Sequence, residues 1–233
     1  MPINFACIVP HSPLLLPSVG SKEDREKFKN TINALEKLRN TLTKLKPELI
    51  IISSPHKNWG FDVPLYFLVG EKNKTPAIEV GFSSEQKNYI KTYLTEEKSP
   101  QFYFEEGEKM YKTQIKDSKP NIALIASSDL SHCLKKDGPY GFHPDGPKFD
   151  EALIKYLKKK DLKNIFKLNE KYPESGECGL RPICFLLGIL NACGVDNSIS
   201  VTRKTDILSY EFPFGIGYLV ASMKIYRSFR VYT

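Results

Sequence analysis

Two hydrophobic patterns alternate along this chain. Residues 3–9, 49–52 and 122–126 are short apolar runs without polar alternation, the pattern of strands buried on both faces of a parallel sheet. Between the first two runs, Phe28, Ile32, Leu35, Leu38, Leu42 and Leu45 recur at helical spacing, with lysines and glutamates on the other face. Residues 23–46 are therefore predicted as one amphipathic helix, ended by Pro47 and lying on the sheet. This gives a β-α-β start. The middle of the chain predicts a strand over 64–69 and helices over 84–94 and 105–116. Helices follow over 148–160 and 162–168. Leu180, Ile183, Leu186, Leu187 and Leu190 form the stripe of a further helix closed by Gly194. Strands are expected over 198–202, 207–210 and 217–225. With no repeat, low-complexity tract or Pro/Ser-rich linker, residues 1–233 are predicted as a single α/β domain. Its central sheet, mostly parallel or mixed, carries helices on both faces.

Composition narrows the function classes. Hydrophobic residues at 41% and charged residues at 26% are ordinary for a globular protein. The net charge of +7 comes from scattered lysines, without an Arg-rich patch interleaved with aromatics or a zinc-finger spacing. Nucleic acid is therefore not an expected partner. The five cysteines, Cys7, Cys133, Cys178, Cys184 and Cys193, contain no Cys-x-x-Cys and predict reduced thiols. The opening residues carry no basic leader, and no apolar stretch is long enough to span a membrane. A cytoplasmic setting without membrane association is the expectation.

The candidate chemistry sits where the apolar runs end. His11, His56 and His132 each follow one of the three runs within a few residues, and His143 is the chain's only other histidine. In an open α/β sheet, ligands bind in the crevice at the carboxyl ends of the strands. Three histidines delivered to that edge are expected to converge. Residues 127–150, rich in Asp, His, Pro and Gly, form the irregular loop around which the site is organised. Two histidines and a carboxylate with open positions suit non-haem Fe(II). Glu177 is the favoured carboxylate, at the opening of the helix that carries the Leu180 stripe, where the dipole favours an acid. Capping of that helix is its alternative role. Cys178 competes, since a thiol there could ligate a softer metal.

The motifs PHSP (10–13), SSPH (53–56), SSDLSH (127–132), DGPYGFHPDGPKFD (137–150), GECGLR (176–181) and SYEFPFGIG (209–217) run through nearly the whole chain. Together they resemble the class III extradiol dioxygenase catalytic-subunit (LigB-like) superfamily. The nearest branch by this resemblance is the stand-alone prokaryotic one, found with AMMECR1-type domains and radical-SAM proteins, with the Memo proteins as more distant cousins. The resemblance implies His11, His56 and Glu177 as Fe(II) ligands, with Zn(II) as the alternative ion. It implies His132 as acid/base, supported by Asp129 and His143, and a substrate pocket formed by Ser12, Pro55, Tyr140, Gly141, Phe142 and Tyr210. In the Memo-like cousins a cysteine replaces the carboxylate, and Cys178 stands at that position.

One departure from the family pattern is clear. Many relatives carry a mid-chain Asp-His-Gly motif, whereas residues 58–118 here contain no histidine. That removes an active-site histidine from the pocket wall; His143 is the available replacement, with a structural role in its Pro/Gly setting as the alternative. The expected function is a non-haem Fe(II)-dependent extradiol-type dioxygenase acting on a small catechol-like aromatic and O2. Two alternatives stand beside it: a non-catalytic or redox-regulatory Memo-like metal protein, and a zinc-dependent hydrolase. Expected partners are AMMECR1-type and radical-SAM proteins, with a homodimer as the oligomeric option.

Overall fold

The computed structural model describes residues 3–70, 89–195 and 199–229. Strand β1 (Ile3–Val9) leads through a short turn to helices α1 (Lys22–Lys27) and α2 (Lys29–Leu45), then to β2 (Leu49–Ser54). Next come α3 (Asn58–Pro64), β3 (Tyr89–Leu94), α4 (Pro100–Met110) and β4 (Ile122–Ser127). After the long loop follow α5 (Asp145–Lys159), α6 (Leu162–Ile165), α7 (Leu168–Lys171) and α8 (Leu180–Val195). Strands β5 (Ile199–Glu211) and β6 (Tyr218–Phe229) close the described chain.

The described strands form one six-stranded sheet in the order β3-β2-β4-β1-β6-β5. The first four in that order are parallel, β6 runs antiparallel to β1 and β5 antiparallel to β6, so the sheet is mixed. Its apolar runs are covered on both faces. Ile122, Leu124 and Ala126 enter one core with α4, α5 and α8, while Ala123 and Ile125 enter the other with α2 and α3. That alternation explains why β4 shows no polar position: each side chain meets a helix layer. Val9 pairs with Ser127 and Ser53 with Ala126, so β1, β2 and β4 end level, at one edge.

Several elements differ from expectation. The single helix over 23–46 is broken at Phe28, which is fully buried and packs its ring against Phe214 and Tyr218. Ser21 opens α1 with a reciprocal capping box to Asp24. The run over 64–69 is helical, not a strand. α3 passes through Pro64 and widens into a π turn (Leu65–Val69), ending where Gly70 N–H bonds the Leu65 carbonyl. A short apolar run has no period of its own, and burial of Leu65, Phe67 and Leu68 beside α2 decided its conformation. Conversely, the part of the expected 84–94 helix that is described is strand β3, paired in parallel with β2; residues 84–88 lie outside the described residues. α4 starts five residues before the expected 105, at a Ser99 cap followed by Pro100. The expected strands over 198–202 and 207–210 are one strand, β5, of which residue 198 lies outside the described residues.

A candidate metal centre at the carboxyl edge of the sheet

His11 leaves β1 two residues after its end and is held from several sides. Its backbone N–H donates to Asp129 Oδ1 at 2.9 Å, and its ring Nδ1 lies 3.3 Å from Ser127 Oγ at the end of β4. That leaves Nε2 facing outward, 3.4 Å from Cys178 Sγ and 3.7 Å from Asp129 Oδ2. Burial presses the imidazole down to about 4, so it is neutral and ready to ligate at pH 7. His56 follows β2, its N–H donating to Ser54 Oγ, and its ring stands edge-on to His11 with centroids 5.0 Å apart. Partial burial lowers its affinity for protons too, with His11 adding to the effect.

Cys178 arrives from the opposite direction, just before α8. Its sulfur contacts His11 Nε2, lies 3.6 Å from His132 Nε2, and is 3.7 Å from the Asp129 carbonyl. Burial, then the charges of Asp129 and Glu177, push the thiol well above its usual range. The ligating atoms of His11, His56 and Cys178 lie within 4.8 Å of one another, the group among the described residues that could hold an ion. Around one tetrahedral metal with bonds of about 2.0–2.3 Å, donors stand roughly 3.3–3.7 Å apart, so modest contraction closes the site. A metal would also displace the thiol proton that burial otherwise retains.

Glu177 is turned the other way. Its Oε2 accepts the Leu180 N–H at 2.6 Å and caps α8, and burial raises its carboxyl above the ordinary value. Both residues precede α8, and with Glu177 held by the Leu180 amide only one of the pair faces the histidines. Here Cys178 does, contrary to the preference for a carboxylate.

The loop bearing Asp129 and His132 is stitched down on several sides. Ser128 N–H donates to the Val9 carbonyl, Leu130 N–H to Gly217, His132 N–H to Ser175, and Leu134 N–H to Gly215. Asp129 is buried and its carboxyl is raised to about 6 by that burial, against the His11 amide bond. Burial lowers His132, with the Asp129 charge opposing. The Tyr140 ring tilts over His132 at 5.2 Å and is 64% exposed, forming the outer rim, while Phe142 is exposed and bridges to Leu134. Gly141 between them takes a positive φ of 71°. Ser12 is buried beside His11, and Pro55 is half-buried before His56.

Two expected site residues take other posts. His143 stands at the head of α5, its Nδ1 accepting the Asp145 N–H and its own N–H donating to Cys133. Tyr210 donates to Asp150 Oδ2 at 2.7 Å, and Asp150 Oδ1 accepts the Ser131 N–H at 2.9 Å. Tyr210 thus braces the loop from behind. Asp150, raised to about 7 by burial, was not anticipated from sequence, although an acid one residue after the core position Phe149 was the available signal.

Residues 57–221 match the family described as the catalytic LigB subunit of aromatic ring-opening dioxygenase, well over half of the chain. The chain belongs to this family. The matched LigB segment contains Asp129, His132 and Cys178, while His11 and His56 precede it. Protein CA_C1420 of Clostridium acetobutylicum is 26% identical over 284 residues, an alignment covering 98% of this chain. This chain spans 59% of that relative's length. The crystal structure of the uncharacterized protein JW3007 from Escherichia coli K12 shares the fold, with a TM-score of 0.51 and 16% identity. That match covers 95% of this chain and 99% of the other. Among the described residues, no helix is long and apolar enough to cross a membrane.

Proposed function

We propose that this LigB-family protein is a thiolate-ligated metal protein of the redox-regulatory, Memo-like kind, with the ion held by His11, His56 and Cys178. The observation that carries this reading is the Cys178 sulfur beside both histidines, with Glu177 committed to the α8 cap. Neutral imidazoles with a thiolate suit Zn(II) or Cu(I) better than a hard oxygen-rich facial set. A metal bound there would supply Lewis acidity or, for a redox-active ion, one-electron chemistry.

The chain's own residues do the remaining work. Ser127 fixes the His11 ring so that Nε2 faces the centre, the kind of outer support that tunes a ligand. Asp129 anchors the His11 backbone. His132, neutral at pH 7 and 3.6 Å from Cys178 through Nε2, is placed to take a proton from an incoming ligand. Tyr140, over His132, offers an aromatic face to a small flat molecule.

The family match supports a second reading, ring cleavage of a catechol-like substrate with His132 as acid/base. Metal content after anaerobic purification, followed by oxygen uptake with a catechol panel, separates the two. Zinc or copper near one equivalent, lost in Cys178→Ser and accompanied by no catechol-dependent oxygen uptake, is expected. Iron with catechol turnover, retained in Cys178→Ser and lost in Glu177→Ala, would overturn the thiolate reading.

A further inference from the structure

Tyr218 opens β6, and nothing in its alternating strand pattern marks it as more than core. Its position says otherwise. β6 runs antiparallel to β1, with Cys7 opposite Ser222 and Ile8 opposite Ala221, so continuing that register brings Tyr218 level with His11. The ring is 0% exposed and packs edge-on against Phe28, with centroids 4.9 Å apart. It is locked in place. Yet its hydroxyl has no hydrogen-bond partner among the described residues; Ser12 is its polar neighbour, and no aligned bond joins them.

A buried, unpaired phenol hydroxyl is a net cost that phenylalanine would avoid in the same space. Ser128 and Ser131 also carry unpaired buried hydroxyls, but a serine hydroxyl can turn, whereas this phenol is fixed by its ring. The charged and polar groups acting on it are Asp129, Tyr140 and Cys178, all of the centre described above. Burial and those neighbours hold the phenol protonated, so it is a donor lacking an acceptor. Among the described residues, no acceptor is aligned with it, the Ser12 hydroxyl being the polar group beside it.

We propose that Tyr218 is a further ligand-binding residue of this centre, its hydroxyl donating to an anionic oxygen of the molecule bound beside the metal. This rests on the reading of His11, His56 and Cys178 as the metal site. An anionic oxygen is the acceptor that gains most from a buried neutral donor, and Ser12 stands ready as a second donor on the same side. Phenolate and carboxylate groups share that chemistry.

The test uses Tyr218→Phe, which keeps the ring packing and deletes only the hydroxyl. Metal affinity, thermal unfolding of the metal-free protein, and binding of 4-nitrocatechol and 4-nitrobenzoate to the metal-loaded protein are compared with wild type. Expected are a metal affinity within about twofold, an unchanged or raised Tm, and roughly tenfold or weaker binding of at least one probe. A weakened 4-nitrocatechol complex identifies a phenolate acceptor, and a weakened 4-nitrobenzoate complex a carboxylate. Equal binding of both probes by the two proteins would overturn the proposal. So would a lowered Tm without metal, which would show that the hydroxyl has a structural partner. Absence of the metal site would show in the wild type itself and would remove the basis of both readings.

Discussion

The Cys178 sulfur lies 3.4 Å from Nε2 of His11, although 167 residues separate them in sequence. The contact exists because β1 and the start of α8 both deliver their residues to the carboxyl edge of the sheet. With the neighbouring carboxylate engaged by the Leu180 amide, sulfur is the donor that completes the group.

Removing each of the adjacent residues should therefore have different effects. Cys178→Ser is expected to lower metal affinity by about 100-fold or more while leaving the fold intact, since the thiol makes only long contacts to the protein. Glu177→Ala should keep the metal but lose about 1–2 kcal/mol of stability, because α8 loses its N-terminal cap. Metal titration beside denaturant unfolding of both variants reads this. Metal loss confined to Glu177→Ala would reverse the ligand assignment.

Ser127→Ala should weaken metal binding by roughly tenfold without removing a ligand, through the hydrogen bond it makes to His11 Nδ1 at 3.3 Å. Competition against a chromogenic chelator measures it. Wild-type affinity in the variant would mean that the His11 ring is oriented by packing alone.

His132→Ala is expected to retain stoichiometric metal and to lower any proton-dependent turnover by roughly 10²–10⁴-fold. Its imidazole stands 3.6 Å from the sulfur without belonging to the three-residue group. If metal leaves with His132, the residue is a fourth ligand and the acid/base role falls.

Asp150 predicts a pH dependence of stability. Burial raises its carboxyl from an ordinary 3.8 to about 7, so between those values the native state binds more protons than the unfolded chain. Stability from this group is greatest below pH 4, declines as pH rises through that window, and is level above it, a change on the order of 2–4 kcal/mol. Asp150→Asn can still accept from Ser131 and pair with Tyr210, and should flatten the slope. Denaturant unfolding at pH 4.5 and pH 7.5 decides; an unchanged slope in the variant would assign the effect to another group.

Much of this arrangement was legible because strong local signals agreed with the fold. The three apolar runs became β1, β2 and β4, and the histidines that follow them reached one edge because those strands are parallel and end level. Legibility failed where tertiary contacts chose between local options. Leu65–Val69 was too short to carry a period, and packing beside α2 made it helical. Which of Glu177 and Cys178 faces the histidines depended on which side chain the Leu180 amide captured, a torsional matter no spacing encodes. Asp150 was missed because its partner Ser131 is remote in sequence, and Tyr218 because its place beside the site is defined only by strand register.

The strand order carries a consequence for how the molecule comes into being. β1 lies between β4 and β6, so the earliest described strand to emerge during synthesis waits for neighbours that begin at residues 122 and 218. Nascent β1 has no adjacent strand until more than a hundred further residues are made, which favours slow, late closure of the sheet centre and lengthens its exposure to misassembly. His11 thus takes its final place only after β4 has formed, and Tyr218 only with β6. A chain made only as far as β4 presents His11 and His56 without Cys178, so the three side chains that could hold an ion meet only once the start of α8 has followed.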